Sequence, residues 1–135
     1  FEGKYRKLRL YYTDQAYETP GTDSFILDTP YGRFGLLICL DATDSPYFKD
    51  YKDAGASAVI VAMDWDDDPA GQHSAVKKFR EWAAKDGVDI YAADSAPWDG
   101  AGKYPASGTS RERDGLPAVG VGTEGVSVHR FVYPR

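Results

Sequence analysis

Apolar residues along this chain fall into short runs separated by polar, Gly- and Pro-containing stretches, and the period within each run predicts its element. Tyr5 to Tyr12 mixes aromatics with alternating charge and predicts a β-prone segment, and the polar "TDQAYETPGTD" after it predicts a loop. "SFILDT" and "RFGLLICLD" predict two strands joined by the turn "PYG". In the second, Leu36, Leu37, Ile38 and Leu40 put apolar groups on both faces, as in a central strand covered by layers on each side. "DSPYFKDYKDAG" predicts a short amphipathic helix capped by Ser45, begun by Pro46 and closed by Gly55, with Tyr47, Phe48, Tyr51 and Ala54 at helical spacing. "SAVIVAM" predicts another buried strand. "QHSAVKKFREWAAKDG" predicts a helix with Val76, Phe79 and Ala83 on one face and Gly87 as its stop. "DIYAAD" predicts a third core strand, Pro97 to Gly108 a long loop, and "SGTSRER", "AVGVG" and "GVSVHRFVY" a hairpin-rich, antiparallel end.

Strand, helix, strand, helix, strand in that order predicts parallel pairing with the helices packed outside, an α/β fold in one domain over residues 1–135. A chain of 135 residues with 42% hydrophobic content suffices for a real core. A formal net charge of −5, with Lys and Arg scattered, argues against a nucleic-acid partner. The longest apolar runs are far short of the roughly 20 residues that cross a bilayer, so no membrane partner is expected. A single cysteine excludes an internal disulfide and fits a reducing compartment, so the expected location is the cytoplasm. "FEGKYRKLRL" has neither an initiator Met nor the features of a signal peptide, and a piece of a longer chain is expected.

That cysteine, Cys39, is the first candidate for chemistry. A cysteine in "LLICL" is ordinarily a buried small hydrophobe. Against this, Cys39 ends a predicted central strand, where α/β sheets present their ligands at the carboxyl edge. The helix beginning near Pro46 would turn its partial positive N-terminus toward that edge and favour a thiolate. Asp41 follows two residues later, on the same side if the strand continues.

With "KYRKLRL", "YETPG", "FILDTPYGRFGLLICLD", "AGASAVIVAMDW" and "GTSRERDG" in this order and spacing, the chain resembles the nitrilase superfamily of carbon–nitrogen hydrolases, over the later part of the family's domain. The resemblance implies part of a four-layer α-β-β-α sandwich lacking its N-terminal segment. It implies a cofactor-free hydrolase in which Cys39 attacks the carbon of a small amide or nitrile and forms a thioester that water releases as the acid. Lys7 matches the family's lysine and would stabilise the oxyanion. Glu18, in "YETPG", matches a second glutamate that braces the site. The family's general base is a glutamate from an upstream strand and helix; Glu2 lies too close to Lys7 to match it. Members associate through helices, so a homodimer, or association with the N-terminal segment, is the expected assembly.

Two other readings stand beside the hydrolase. One is a noncatalytic nitrilase-like subunit or fragment; the other is an amide-forming N-acyltransferase, a branch that "MDW" followed by His73 resembles. Arg9 stands where the family commonly has His, and "WAAKDG" where Arg-Ala-x-Glu-Asn is usual; neither touches the nucleophile.

Asp41, Asp64 and Trp65, at the ends of the core strands, are the candidate pocket residues. No metal is expected: Asp64, Asp66 and Asp68 imitate the start of a calcium loop, but Pro69 and Ala75 stand where Gly and Glu belong. "DWDDDP" reads instead as an acidic approach to the next helix, with Asp68 as its cap. His73 and His129 have no metal-type partner. "GAGKYPASG" lacks the spacing of a nucleotide loop.

Overall fold

The computed structural model describes residues 3–43, 46–65, 74–94 and 102–107. Five strands form one sheet in chain order: β1 (Ile26–Thr29), β2 (Gly32–Ile38), β3 (Ala58–Met63), β4 (Asp89–Asp94) and β5 (Gly102–Tyr104). The three inner strands are parallel, in register Leu37 to Val61 to Ala92, and the two outer strands are antiparallel to their neighbours. Helix α1 (Pro46–Asp53) crosses from β2 to β3 and α2 (Ala75–Asp86) from β3 to β4, the βαβ order that the hydrophobic pattern predicts.

Both helices pack on the same face of the sheet. Leu37, Val59, Val61 and Ile90 meet Phe48 and Tyr51 of α1 and Phe79 and Ala83 of α2 in one buried cluster. Phe79 lies at its centre, edge-on to Trp65, Phe48 and Tyr104 at centroid distances of 5.8, 6.2 and 5.2 Å. Helix α2 begins where Ser74 accepts a hydrogen bond from Lys77 N and stops at Gly87, whose φ of +64° takes the left-handed conformation of a C-terminal cap. Pairing is closest between α1 and β2 at Gly35, which leaves room for the Tyr51 ring. The Tyr51 hydroxyl donates to Leu36 O (2.7 Å) and accepts from Phe25 N (3.2 Å), fixing that ring. On the opposite sheet face Leu36 and Ile38 are partly exposed, and Ile60, Ala62 and Ala93 are exposed. The described residues therefore make one sheet with one helical layer, and the apolar second face expected of β2 is not fully covered by them.

Three expectations are corrected. Residues 5–12 form no strand, because the backbone N–H groups of Leu8 and Arg9 bond the Asp41 carboxylate and Lys7 O accepts from Gly21 N, leaving no ladder to join. Within the predicted loop from Pro97 to Gly108, Gly102–Tyr104 pairs with β4, driven by burial of Tyr104 against Phe79. The cap of α2 is Ser74 and not Asp68. The Ser45 cap, Asp66 and Asp68, His73, His129 and the tail strands lie outside the described residues.

The tight seat of Tyr51 yields a stability prediction. A Cβ on Gly35 would lie within 2.7 Å of both Tyr51 Cδ atoms. Gly35→Ala is expected to cost about 1–3 kcal/mol in urea unfolding, through overpacking. Gly87→Ala, where a Cβ meets nothing within 4 Å, should cost only the left-handed backbone term of about 1–2 kcal/mol.

Candidate active site at the end of β2

Strand β2 ends at Ile38, and the chain turns at once into a 3-10 helix, Cys39–Thr43. The turn is made at Cys39 itself, whose φ of +45° makes it the one non-glycine residue with positive φ among the described residues. Such a conformation costs on the order of 1–3 kcal/mol and persists only where surrounding bonds impose it. It leaves Cys39 partly buried at the carboxyl edge of the sheet, with Sγ 3.9 Å from Asp64 O at the end of β3.

The bonds that impose the turn converge on Asp41. Its side chain is fully buried and accepts from Ile38 N (3.2 Å), Leu8 N (3.0 Å), Arg9 N (2.7 Å) and the Tyr5 hydroxyl (2.7 Å). Ile38 immediately precedes Cys39, and Leu8 immediately follows Lys7, so one carboxylate fixes the backbone beside both candidate catalytic residues. Burial, then the hydrogen bond to Asp41 and its negative charge, push the Tyr5 phenol well above its ordinary value. Thr43 Oγ1 adds a second tie, donating to Leu40 O (2.8 Å) and accepting from Arg9 Nη1 (3.1 Å). The expectation that Asp41 lines the pocket is corrected by this geometry. β2 does not continue past Ile38, so Asp41 turns inward and serves the scaffold.

Lys7 is held by this clamp with its side chain only 10% exposed, and its Nζ pairs with Asp14 in the first 3-10 turn, Asp14–Ala16. The bond from Lys7 and a second from Tyr11 N (3.0 Å) hold the Asp14 carboxyl below its ordinary range. A cavity of about 980 Å³ is lined by Lys7, Asp14, Cys39, Asp64, Trp65 and Lys78, among others. Glu18 lies apart from it, on a neighbouring cavity of about 520 Å³ that shares Lys7 and Asp14. The structure thus brings Cys39, Lys7, Asp64 and Trp65 to one cavity and leaves Glu18 on the neighbouring one. Two lining residues, Asp14 and Lys78, carry no sequence signal: one is an ordinary turn aspartate, the other one of two adjacent helix lysines. Among the described residues no cluster of His, Cys, Asp or Glu could hold a metal ion, and no helix is long and apolar enough to cross a membrane.

A probable nitrilase of Schizosaccharomyces pombe is 30% identical over 78 residues, covering 58% of this chain and 29% of the relative. Saccharomyces cerevisiae Nit3, a member of branch 10 of the nitrilase superfamily, superposes with a TM-score of 0.63 at 26% identity, over 71% of this chain and 35% of that one. In sequence and fold the chain is thus similar, over part of their length, to members of the nitrilase superfamily. An amidase of that superfamily from Nesterenkonia sp. has the same fold, with a TM-score of 0.65 at 20% identity over 78% of this chain and 43% of that one. No family model matches the chain. The chain spans less than half the length of each of these relatives.

Removing the Asp41 carboxylate strands three backbone donors in a partly buried site, so Asp41→Ala is expected to lose about 3 kcal/mol or more of stability in urea unfolding. Limited trypsin digestion of that variant should cut faster at Lys7 and Arg9, the residues that the clamp ties down. An unchanged digestion pattern would show that other contacts hold the segment.

Proposed function

We propose that this nitrilase-superfamily chain carries the nucleophile and the oxyanion cation of a hydrolase acting on a non-peptide carbon–nitrogen bond of a small amide or nitrile. One observation carries the reading: Cys39, held in a strained turn at the carboxyl end of a core strand, opens on the same cavity as the buried Lys7. The Cys39 sulfur attacks the amide carbon as its proton passes to a general base, and the carbonyl oxygen takes up negative charge facing Lys7 Nζ. Collapse of this adduct returns a proton to the nitrogen, breaks the C–N bond and releases ammonia, leaving a thioester on Cys39. Water then adds to the thioester, and its collapse frees the carboxylic acid and restores the thiol.

Asp14 is a poor choice for the base, because the bonds from Lys7 and Tyr11 N–H lower its carboxylate's affinity for a proton. Its role is to orient the Lys7 ammonium. The resemblance assigns the base to a glutamate that precedes the matched residues in family members. Glu18, on the neighbouring cavity that Lys7 also lines, would brace the site. Relatives supply the chemical precedent: acrylamide adds to the active-site cysteine in one form of the Nesterenkonia amidase, and another was solved in complex with butyramide. A homodimer is the proposed assembly, and the proposed location is the cytoplasm.

Intact mass after brief incubation with a panel of small amides and nitriles tests the reading. An acyl adduct on Cys39 with accompanying ammonia is expected, absent in Cys39→Ala. Lys7→Ala should lower kcat by about 10²–10³-fold, as loss of one oxyanion donor does. Native protein that forms neither adduct nor ammonia with any of them would turn the assignment to a noncatalytic nitrilase-like subunit.

A further inference from the structure

We infer that Arg9 is a positioning residue for Cys39, locking through Thr43 the far end of the turn that presents the sulfur, an inference that rests on the hydrolase reading. Arg9 stands where the family commonly has His, so the resemblance assigns it no role. It is partly buried and does not line the cavity of Cys39, so its effect on the nucleophile passes through other groups. Thr43 closes the 3-10 helix Cys39–Thr43 and lines that cavity, as does Leu40, the residue after Cys39.

Arg9 reaches the turn twice. Its backbone N–H donates to Asp41 Oδ1 (2.7 Å), and its Nη1 donates to Thr43 Oγ1 (3.1 Å). A guanidinium has donors only, so the Thr43 hydroxyl must accept from it and direct its single proton elsewhere. That proton goes to Leu40 O, 2.8 Å away. The chain from Arg9 through Thr43 to Leu40 therefore runs in one direction, and the charge at its head strengthens the bond at its foot. Asp41 holds the entry to the turn through Ile38 N, and the relay holds Leu40 O, one peptide beyond Cys39. Cys39 lies between these two ties with a φ of +45°, a backbone state that persists only while its surroundings impose it. Relaxation of the turn would swing Sγ out of line with Lys7, and a misplacement of about 1 Å in a reacting group slows attack about a hundredfold. Arg9 and Lys7 share one segment, so the same guanidinium ties the position of the cation to that of the nucleophile.

The decisive experiment is a double-variant cycle. Arg9→Met and Thr43→Val remove the donor and the hydroxyl at nearly constant volume, singly and together, and Thr43→Ser keeps the hydroxyl. Each variant is followed by the rate at which iodoacetamide alkylates Cys39, by kcat and KM for the small amide that wild type turns over fastest, and by urea unfolding. Arg9→Met and Thr43→Val are each expected to lower kcat about 10–100-fold with KM changed less than about twofold, and to slow alkylation. Thr43→Ser should match wild type. The double variant should be no slower than the slower single one, because the two residues act as one unit. A wild-type kcat in Arg9→Met, losses that multiply in the double variant, equal losses in Thr43→Ser and Thr43→Val, or losses accounted for by the fraction unfolded would each overturn the inference and leave Arg9 as a structural contact. Alkylation slowed in both single variants while wild type turns over no amide or nitrile would retain the positioning role and reject the hydrolase. Turnover by wild type that neither variant alters would retain the hydrolase and reject the role of Arg9.

Discussion

The carboxylate of Asp41 is the constraint on which the described site depends. Four donors converge on it, from the end of β2, from the two residues after Lys7, and from Tyr5. A buried carboxylate without such donors would be prohibitively costly, and backbone N–H groups that cannot join a sheet are equally costly alone. Each need satisfies the other. The segment bearing Lys7 has no regular structure, so it owes its position to this clamp, and the turn that exposes Cys39 owes its left-handed backbone to the same group.

Behind the clamp, the parallel strands place Cys39 and Asp64 at one sheet edge, because Ile38 pairs with Ala62 and both strands end within a residue or two. Packing of α1 and α2 on a single face supplies the rigidity. Phe79 links Phe48, Trp65 and Tyr104, so the aromatic wall of the cavity is continuous with the core and not a loop feature. The other face, with Ile60 37% exposed, is apolar and open among the described residues, in keeping with a chain that spans less than half the length of its relatives.

Most of the layered part was legible from hydrophobic period alone. β2, β3, β4 and both helices follow runs whose spacing admits one element type, and Gly87 ends α2 where only a left-handed residue closes a helix cheaply. Residues 5–12 misled because β propensity is a preference for half-buried pleated surface, and here a side chain took the ladder's place. Asp41 was visible as a candidate but misplaced: its role depends on where β2 stops, and a turn at a non-glycine residue has no local signature. β5 was hidden in a Gly- and Pro-containing stretch, since Tyr104 decides it through a contact distant in sequence. Asp14 and Lys78 were illegible for the same reason, being polar residues of ordinary kinds whose meaning lies in what the fold sets opposite them.

The most direct test of an Asp41-assembled site is the rate at which iodoacetamide alkylates Cys39 at pH 7, followed by intact mass in the folded protein, in Lys7→Ala and in Tyr5→Phe, which removes one of the four donors. Labelling faster than that of glutathione is predicted, with a single adduct and a slower rate in both variants. Labelling at the glutathione rate that neither variant changes, or only after unfolding, would contradict it.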